Sequence, residues 1–484
     1  EGSKERAKPY RIPGSGHKQE NSFNHTDNYS LGTSLILDRG YLGVAYSEQN
    51  KRYGLLAHEH ADCHTHGPAD WHCVGEDDHG GHGHDDHDHD HDHDHDHGDP
   101  YIKLRQKRWD VRGELEDPLV GFERARIRIG HSIYRHDEIE GDEVGTRFDS
   151  RATDGRFELT HQPIAGWRGT LGWQGLRRDF NAEGEEAFVP PSLTHANGVF
   201  LLEEYVTGDW RYEVDLRHHG QRISAKGRES VRHSGNSVAG GVVWNFIPDY
   251  ALGLSLSRSQ RLPTAEELYA NGPHAATQTV EIGDANLKRE TSKNVELSLR
   301  KLAGDTTFDL NLYRNDFNDY IYGAETGRDI GAGYRELYYR QNKARFIGLE
   351  GSLRHKLTEN AAVVVFGERV RGKLLNHEGW VPRLPSDRLG VRWEQAFSQN
   401  LDGNIEFSRT QRQTRVARYE TETAGYNLLG AGLVYRGAWD ASDYQLYAKV
   451  DNLMNTKYRN STSFIKDEVL QPGRNFTIGA RVNF

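Results

Sequence analysis

From Tyr29 onward the chain repeats segments of about ten residues in which apolar and polar side chains alternate, with short and long turns taken in strict succession between them. In Phe122–Ile129, the arginines Arg124, Arg126 and Arg128 alternate with Ala125, Ile127 and Ile129. In Tyr41–Gln49, Leu42, Val44 and Tyr46 share one face. Successive side chains on a strand point to opposite faces, so each segment needs one apolar and one polar environment. Arginine facing hydrocarbon is costly, so the Arg124 row is expected to face a wet lumen. Composition agrees. Apolar residues make up only 35% of the 484, yet there are 23 Tyr, 9 Trp and 52 Gly. That is too little apolar material for several buried cores, and enough for a sheet with one apolar face. The longest apolar run is Ala361–Phe366, far too short for a membrane-spanning helix. The expected fold class is all-β, a transmembrane antiparallel β-barrel.

Strands are expected near 28–37, 41–49, 101–115, 119–136, 146–160, 166–180, 197–206, 210–224, 235–246 and 250–258. Others fall near 290–301, 305–316, 336–355, 360–370, 386–397, 402–411, 425–436, 441–450 and 473–484. Tight turns are read at Glu116-Asp117-Pro118, Thr207-Gly208-Asp209 and Ile247-Pro248-Asp249. Long connections are read at 57–100, 179–196, 259–289, 317–335, 372–385, 412–424 and 452–472. Residues 1–27, with His17 and His25, read as a polar loop in which Glu1 begins mid-sequence, with no signal peptide. The count of about 19 is odd. If Phe484 ends a descending strand, the first strand also descends, so at least one rising strand is expected before Glu1.

The second dominant feature interrupts this pattern. Between His58 and His97 lie 14 of the 26 histidines, and from Asp86 to His97 acid and imidazole alternate without a break. Residues 76–99 hold 11 acidic residues and no Lys or Arg, and the whole chain has a net charge of −11. Outside this tract the charges therefore balance. Imidazole with carboxylate suits borderline divalent metals, zinc above all. Alternate residues of an extended chain project to one side, so the imidazoles can chelate in pairs. The composition cannot build a packed core. The only cysteines, Cys63 and Cys73, lie inside the stretch. They are expected as a disulfide in an oxidising compartment, the alternative being two thiolate zinc ligands.

Two stretches carry a family resemblance. One is Ser257-Arg-Ser-Gln-Arg-Leu-Pro-Thr-Ala-Glu-Glu-Leu-Tyr269, followed by Gly283–Leu297. The other is Val450-Asp-Asn-Leu-Met-Asn-Thr-Lys-Tyr458, with Gln471-Pro-Gly-Arg474 and the terminal Val482-Asn-Phe484. They resemble the loop and closing-strand motifs of TonB-dependent outer-membrane receptors. The matching residues are Arg261, Pro263, Glu267, Asn452, Leu453, Tyr458, Pro472, Gly473, Arg474 and Phe484. The resemblance implies a 22-stranded barrel in the bacterial outer membrane, surrounded by lipid and closed by an N-terminal plug that meets the TonB complex. Neither plug nor TonB box is found here, so residues 1–484 read as the C-terminal barrel part, with 57–100 as an extracellular metal-binding loop. Phe484 would serve as an assembly signal, and Pro472, Gly473 and Arg474 would start the closing strand.

Transport requires a compact site with about four N, O or S ligands. His58-Glu59-His60, where strand gives way to loop, is the first candidate, and His218-His219 the second. Glu59 with His218 or His219 would join carboxylate and imidazole across the lumen. Strict alternation from Trp210 sends His219 to the lumen and His218 to lipid, and a bulge would let either turn inward. The loop adds His64, His66, His72, His79, His82, His84, His87, His89, His91, His93, His95 and His97, with Glu76 and Asp99 as secondary ligands. Weaker candidates are His131 and His136, on a strand and at its end, and His161, in a periplasmic turn; His195, His233, His355 and His377 read as surface residues near loops or turns, as does His274 unless it is a ligand, as the haem-receptor alternative would have it. The leading reading is capture and import of zinc, with cadmium, nickel and copper not separated by ligand type. The alternative is a haem receptor of the same family. No compact H-E-x-x-H is present, so an enzyme is not expected. The acidic loops argue against nucleic acid. The receptor is expected to act as a monomer.

Overall fold

The computed structural model describes residues 1–56, 61–65, 67, 70–75, 100–141, 143–376, 378–439 and 442–483. Among these, 23 strands join one sheet and two more form a separate hairpin. Three of the 23, Asn271–His274, Thr279–Ile282 and Gly379–Trp380, lie within connections. The remaining twenty pair antiparallel with their sequence neighbours, from Gly2–Ala7 through to Asn475–Asn483. Among the described residues no helix is long and apolar enough to cross a membrane.

The first strand differs from the expected loop. Gly2–Ala7 pairs with Asn24–Tyr29, so the strand expected at 28–37 in fact begins at Asn24. It was hidden because GSKERA carries no lipid-facing residue. The long connection expected at 317–335 is also corrected. Thr306–Asp329 and Arg335–Thr358 are each 24 residues long and pair almost to their tips. Likewise Phe122–Glu140 and Glu143–His161 run on to a tight turn at Gly141. A strand needs only about ten residues to cross a bilayer. These ladders therefore continue in water, where backbone pairing persists but lipid no longer dictates alternation.

The sheet is apolar on its outside. Ile127, Ile129, Leu171, Trp173, Val214, Leu216, Leu254, Leu256, Leu310 and Leu312 are all exposed. Arg126 lies on the other face from Ile127 and pairs with Glu114 at 2.7 Å, as the lumen reading requires. The tight turns mark one end. Thr207 faces Trp210 across Gly208, whose φ of +53° suits glycine. At this level the ring chain Trp167, Tyr205, Tyr212, Trp210, Trp244, Phe246 and Tyr250 runs from strand to strand, with Trp210 and Trp244 stacked at 5.1 Å. Such a girdle is where amphipathic rings sit at a membrane interface.

The buried cores sit at the opposite end, in the long connections. One joins Ile223, Leu268, Tyr269, Leu287 and Ile321. It includes the short helix Ala265–Tyr269, which starts with a reciprocal cap between Thr264 and Glu267. A second joins Cys73, Val280, Ile282, Ile330 and Tyr334. A third joins Ala344, Leu374, Val381 and Leu384. The barrel wall is thus held by its ladder, and the connections by ordinary apolar packing.

Candidate metal centre

Most of the His/Asp tract lies outside the described residues. That covers Glu59, His58, His60, His66, His79, His82, His84, His87, His89, His91, His93, His95 and His97, together with Glu76 and Asp99. The base of the tract is described. Ala61–Thr65 and Trp71–Gly75 form an antiparallel hairpin in which Cys63 faces Cys73 and His64 faces His72. The cysteines are joined as a disulfide. Adjacent residues of a strand face opposite ways, so the disulfide occupies one face and the two imidazoles the other.

The disulfide face is docked. Cys73 is buried among Val280, Ile282, Ile330 and Tyr334, with Cys63 and Trp71 packed against them. The Cys73 N–H donates to the Ile330 carbonyl at 2.6 Å. Arg328 pairs with Asp70 at 2.6 Å, and the Trp71 indole donates to Asn271 at 3.3 Å. Gly331 lies beneath with φ +89°, and a Cβ there would run into the Cys73 carbonyl. His64 and His72 are exposed, with ring centroids 5.6 Å apart. The hairpin therefore presents two neighbouring imidazoles at the root of the tract.

The hairpin rests on a small lid. Asn271–His274 and Thr279–Ile282 pair antiparallel, and the latter runs parallel with Arg335–Tyr338. His274 stacks on Phe188 at 4.6 Å and bonds Glu281 through Nδ1 at 2.8 Å. Tyr339 donates to the other oxygen of Glu281 at 2.8 Å. Burial alone would raise the Glu281 carboxyl. The bonds from His274, Tyr339 and Thr279 outweigh it and hold the group below the usual carboxylate range. Below the lid, His136 Nε2 lies 3.9 Å from Glu138. Sequence reading placed His136 at a strand end as a weaker candidate, because alternation alone does not show that its neighbours Tyr134, Glu138 and Phe148 close around it.

His218 and His219 do not converge. Pairing of Trp210–Ala225 with both neighbours runs in unbroken register through this point. The bulge that would turn His218 inward is therefore absent. His218 lies on the outer face with the exposed Val214 and Leu216, and bonds Asn236 at 2.7 Å. His219 faces the lumen between Gly198 and Gly235, its Nδ1 buried without a hydrogen bond.

The motif residues hold the connections together. Arg261 pairs with Glu267 at 2.9 Å and with Glu290 at 3.1 Å, and Pro263 is fully buried beside the helix cap. Buried Asn452 donates to the carbonyls of Thr456 and Pro472 and accepts from the Thr456 N–H at 2.8 Å. The Leu453 N–H bonds Leu429, and Tyr458 packs on Tyr426. Gly473 bonds Arg11, and Arg474 donates to the Leu453 carbonyl at 2.7 Å. Phe484 lies outside the described residues.

Comparison with known proteins gives one family. Residues 13–453 match the family model described as TonB dependent receptor-like, beta-barrel. Solved structures share the fold at low identity. "Copper transporter OprC" superposes with a TM-score of 0.80 at 14% identity, over 99% of this chain and 74% of that one. The FrpB iron transporter from Neisseria meningitidis gives a TM-score of 0.73 at 12% identity, over 99% and 76%. The ferric citrate transporter FecA in its unliganded form gives 0.68 at 14% identity, over 96% and 71%.

Proposed function

Because this chain belongs to the TonB-dependent receptor β-barrel family, whose members are outer-membrane receptors that work with TonB, we infer that it imports a divalent metal, zinc first among the candidates. In this reading it resembles the outer-membrane zinc receptor ZnuD, and cadmium and other divalent ions compete for the same ligands. One observation carries the reading. The hairpin that roots the His/Asp tract is fixed to the lid by its disulfide face, and offers His64 and His72 to solvent. A tract of many weak sites raises the local metal concentration. A rooted pair at its base is suited to pass ions on toward the lumen. The copper and iron named for the similar structures support metal import as the general class. TonB would supply the energy, and the receptor would act as a monomer.

Haem import by the same family is the competing reading, with histidine pairs as axial ligands. The many carboxylates of the tract favour a bare cation over an anionic porphyrin. Calorimetric titration of the purified receptor separates the two. The zinc reading expects multi-site zinc binding that falls when residues 77–99 are deleted, and no shift of the haem Soret band. A Soret shift abolished by substituting tract histidines, with zinc binding unaffected by the deletion, would overturn it.

A further inference from the structure

A second group of ligating side chains lies beneath the lid. Glu138 is only 7% exposed, and its Oε2 is buried without a hydrogen-bond partner. Burying a carboxylate oxygen unsatisfied is costly, so this atom is aimed at something the protein alone does not provide. His136, two residues earlier on the same face, puts Nε2 3.9 Å from Glu138 Oε1. Its ring is fixed by stacking on Phe148 at 4.3 Å and by a 2.9 Å bond between Nδ1 and the Tyr134 hydroxyl. That leaves Nε2 as the outward nitrogen, an arrangement typical of metal-binding imidazoles.

Two more carboxylates approach, Glu140 from the end of the same strand and Glu186 from the connection that follows Trp167–Gly184. Glu138 pairs with Thr146, and the register slips by one residue immediately beyond it. The Thr146 hydroxyl accepts the Glu186 N–H at 2.9 Å. The Glu140 carboxylate lies over Gly145, where a Cβ would sit 3.5 Å from it. Glu186 in turn accepts the Ala275 N–H at 3.0 Å, next to His274 in the lid. Two further carboxylates and an imidazole thus neighbour Glu138 and its buried, unpartnered oxygen. Tyr334 is the bridge upward. It is buried in the apolar cluster with Cys73, and its charged neighbours are Glu186, Glu140 and Glu138.

We propose that His136, Glu138 and Glu186 form an ordered divalent-cation site in the barrel mouth, directly below the disulfide-rooted hairpin. The proposal rests on the metal-import reading for the choice of zinc as probe. As they stand, no three ligating side chains among the described residues are gathered closely enough to coordinate one ion. Binding therefore draws the carboxylates inward by side-chain rotation, with Glu140 as a further oxygen. The set of one nitrogen and several oxygens suits zinc or another borderline divalent metal.

The test uses the full receptor with residues 77–99 deleted, so that the tract's own sites are gone. Zinc chloride is titrated calorimetrically, and cobalt(II) is read by its visible absorption. One site should survive the deletion. Glu138→Gln, which keeps the side-chain shape, and His136→Ala should each weaken it at least tenfold. Cobalt should give the spectrum of a protein-bound ion in the deletion receptor, altered in His136→Ala. His218→Ala, on the outer face, should change nothing. Absence of any surviving site, an affinity unmoved by both substitutions, or a cobalt spectrum identical to the hydrated ion would each overturn the proposal. Failure of the import reading would show differently, as receptor-independent zinc accumulation by cells with this site still binding in vitro.

Discussion

The disulfide gives the most direct handle on the rooted hairpin. Cys63 and Cys73 are 10 residues apart in sequence. In the chain-entropy model, closing a loop of that length stabilises by about 2.7 kcal/mol. The bond closes only the hairpin, so its loss should be felt there and not in the barrel ladder. That free energy corresponds to about a hundredfold change in the opening equilibrium. Hydrogen exchange followed by mass spectrometry reads it. In the double variant Cys63→Ser, Cys73→Ser, exchange in Trp71–Gly75 should rise by about two orders of magnitude. The Cys73 amide is the sensitive probe, because its bond to Ile330 exists only while the hairpin is docked. Protection in Trp210–Ala225 should be unchanged. Unaltered exchange in Trp71–Gly75 would mean that packing on Val280, Ile282 and Tyr334 holds the hairpin without the bond, and would refute the argument. Uniform loosening of the barrel strands would refute the claim that the hairpin is a separate unit.

Three further outcomes follow from the same geometry. Gly331→Ala places a Cβ against the Cys73 carbonyl at a positive φ, so it should undock the hairpin while sparing the barrel, as limited proteolysis within residues 61–75 would show. Asn452→Ala strands two carbonyls and an N–H beside the closing strand; it should cost about 1–3 kcal/mol, measured as a lower denaturation midpoint. The pH response has a defined sign. Glu281 is held below its ordinary range, so its contribution is complete above about pH 4.3 and is lost as pH falls through the lowered folded value. Exchange in Thr279–Ile282 should therefore accelerate only in acid, whereas zinc affinity should already fall below about pH 6, where the imidazoles protonate. Coincident loss of both at one pH would contradict this separation.

How much was legible depends on what each residue faces. Wherever a strand meets lipid, the sequence declares it. Val214 and Leu216 alternate with Asp215 and Arg217 because one face is hydrocarbon and the other water. The alternation even sorted His219 from His218, and the unbroken register upheld it. Beyond the bilayer that constraint ends. The outer half of Thr306–Asp329, beyond residue 316, carries mixed polar residues and was read as loop, although its hydrogen-bond ladder with Arg335–Thr358 continues. Gly2–Ala7 was missed for the same reason. The lid strands Asn271–His274 and Thr279–Ile282 have no period at all. They are held by contacts from Phe188, Trp71 and Tyr339, which no local pattern reveals. The site divides in the same way. Composition alone exposed the His/Asp tract. His136 and Glu138 share a face by simple alternation, but the approach of Glu140 and Glu186 depends on how the chain closes around Gly145 and Thr146, which composition does not encode.

On the proposed function, this barrel carries zinc inward with energy delivered through TonB. Uptake of radiolabelled zinc tests it most directly, in zinc-starved cells whose only receptor of this kind is the full-length protein. Accumulation should be saturable, should collapse when TonB is deleted, and should fall when residues 77–99 are removed. Equal accumulation with and without the receptor, or with and without TonB, would contradict the account.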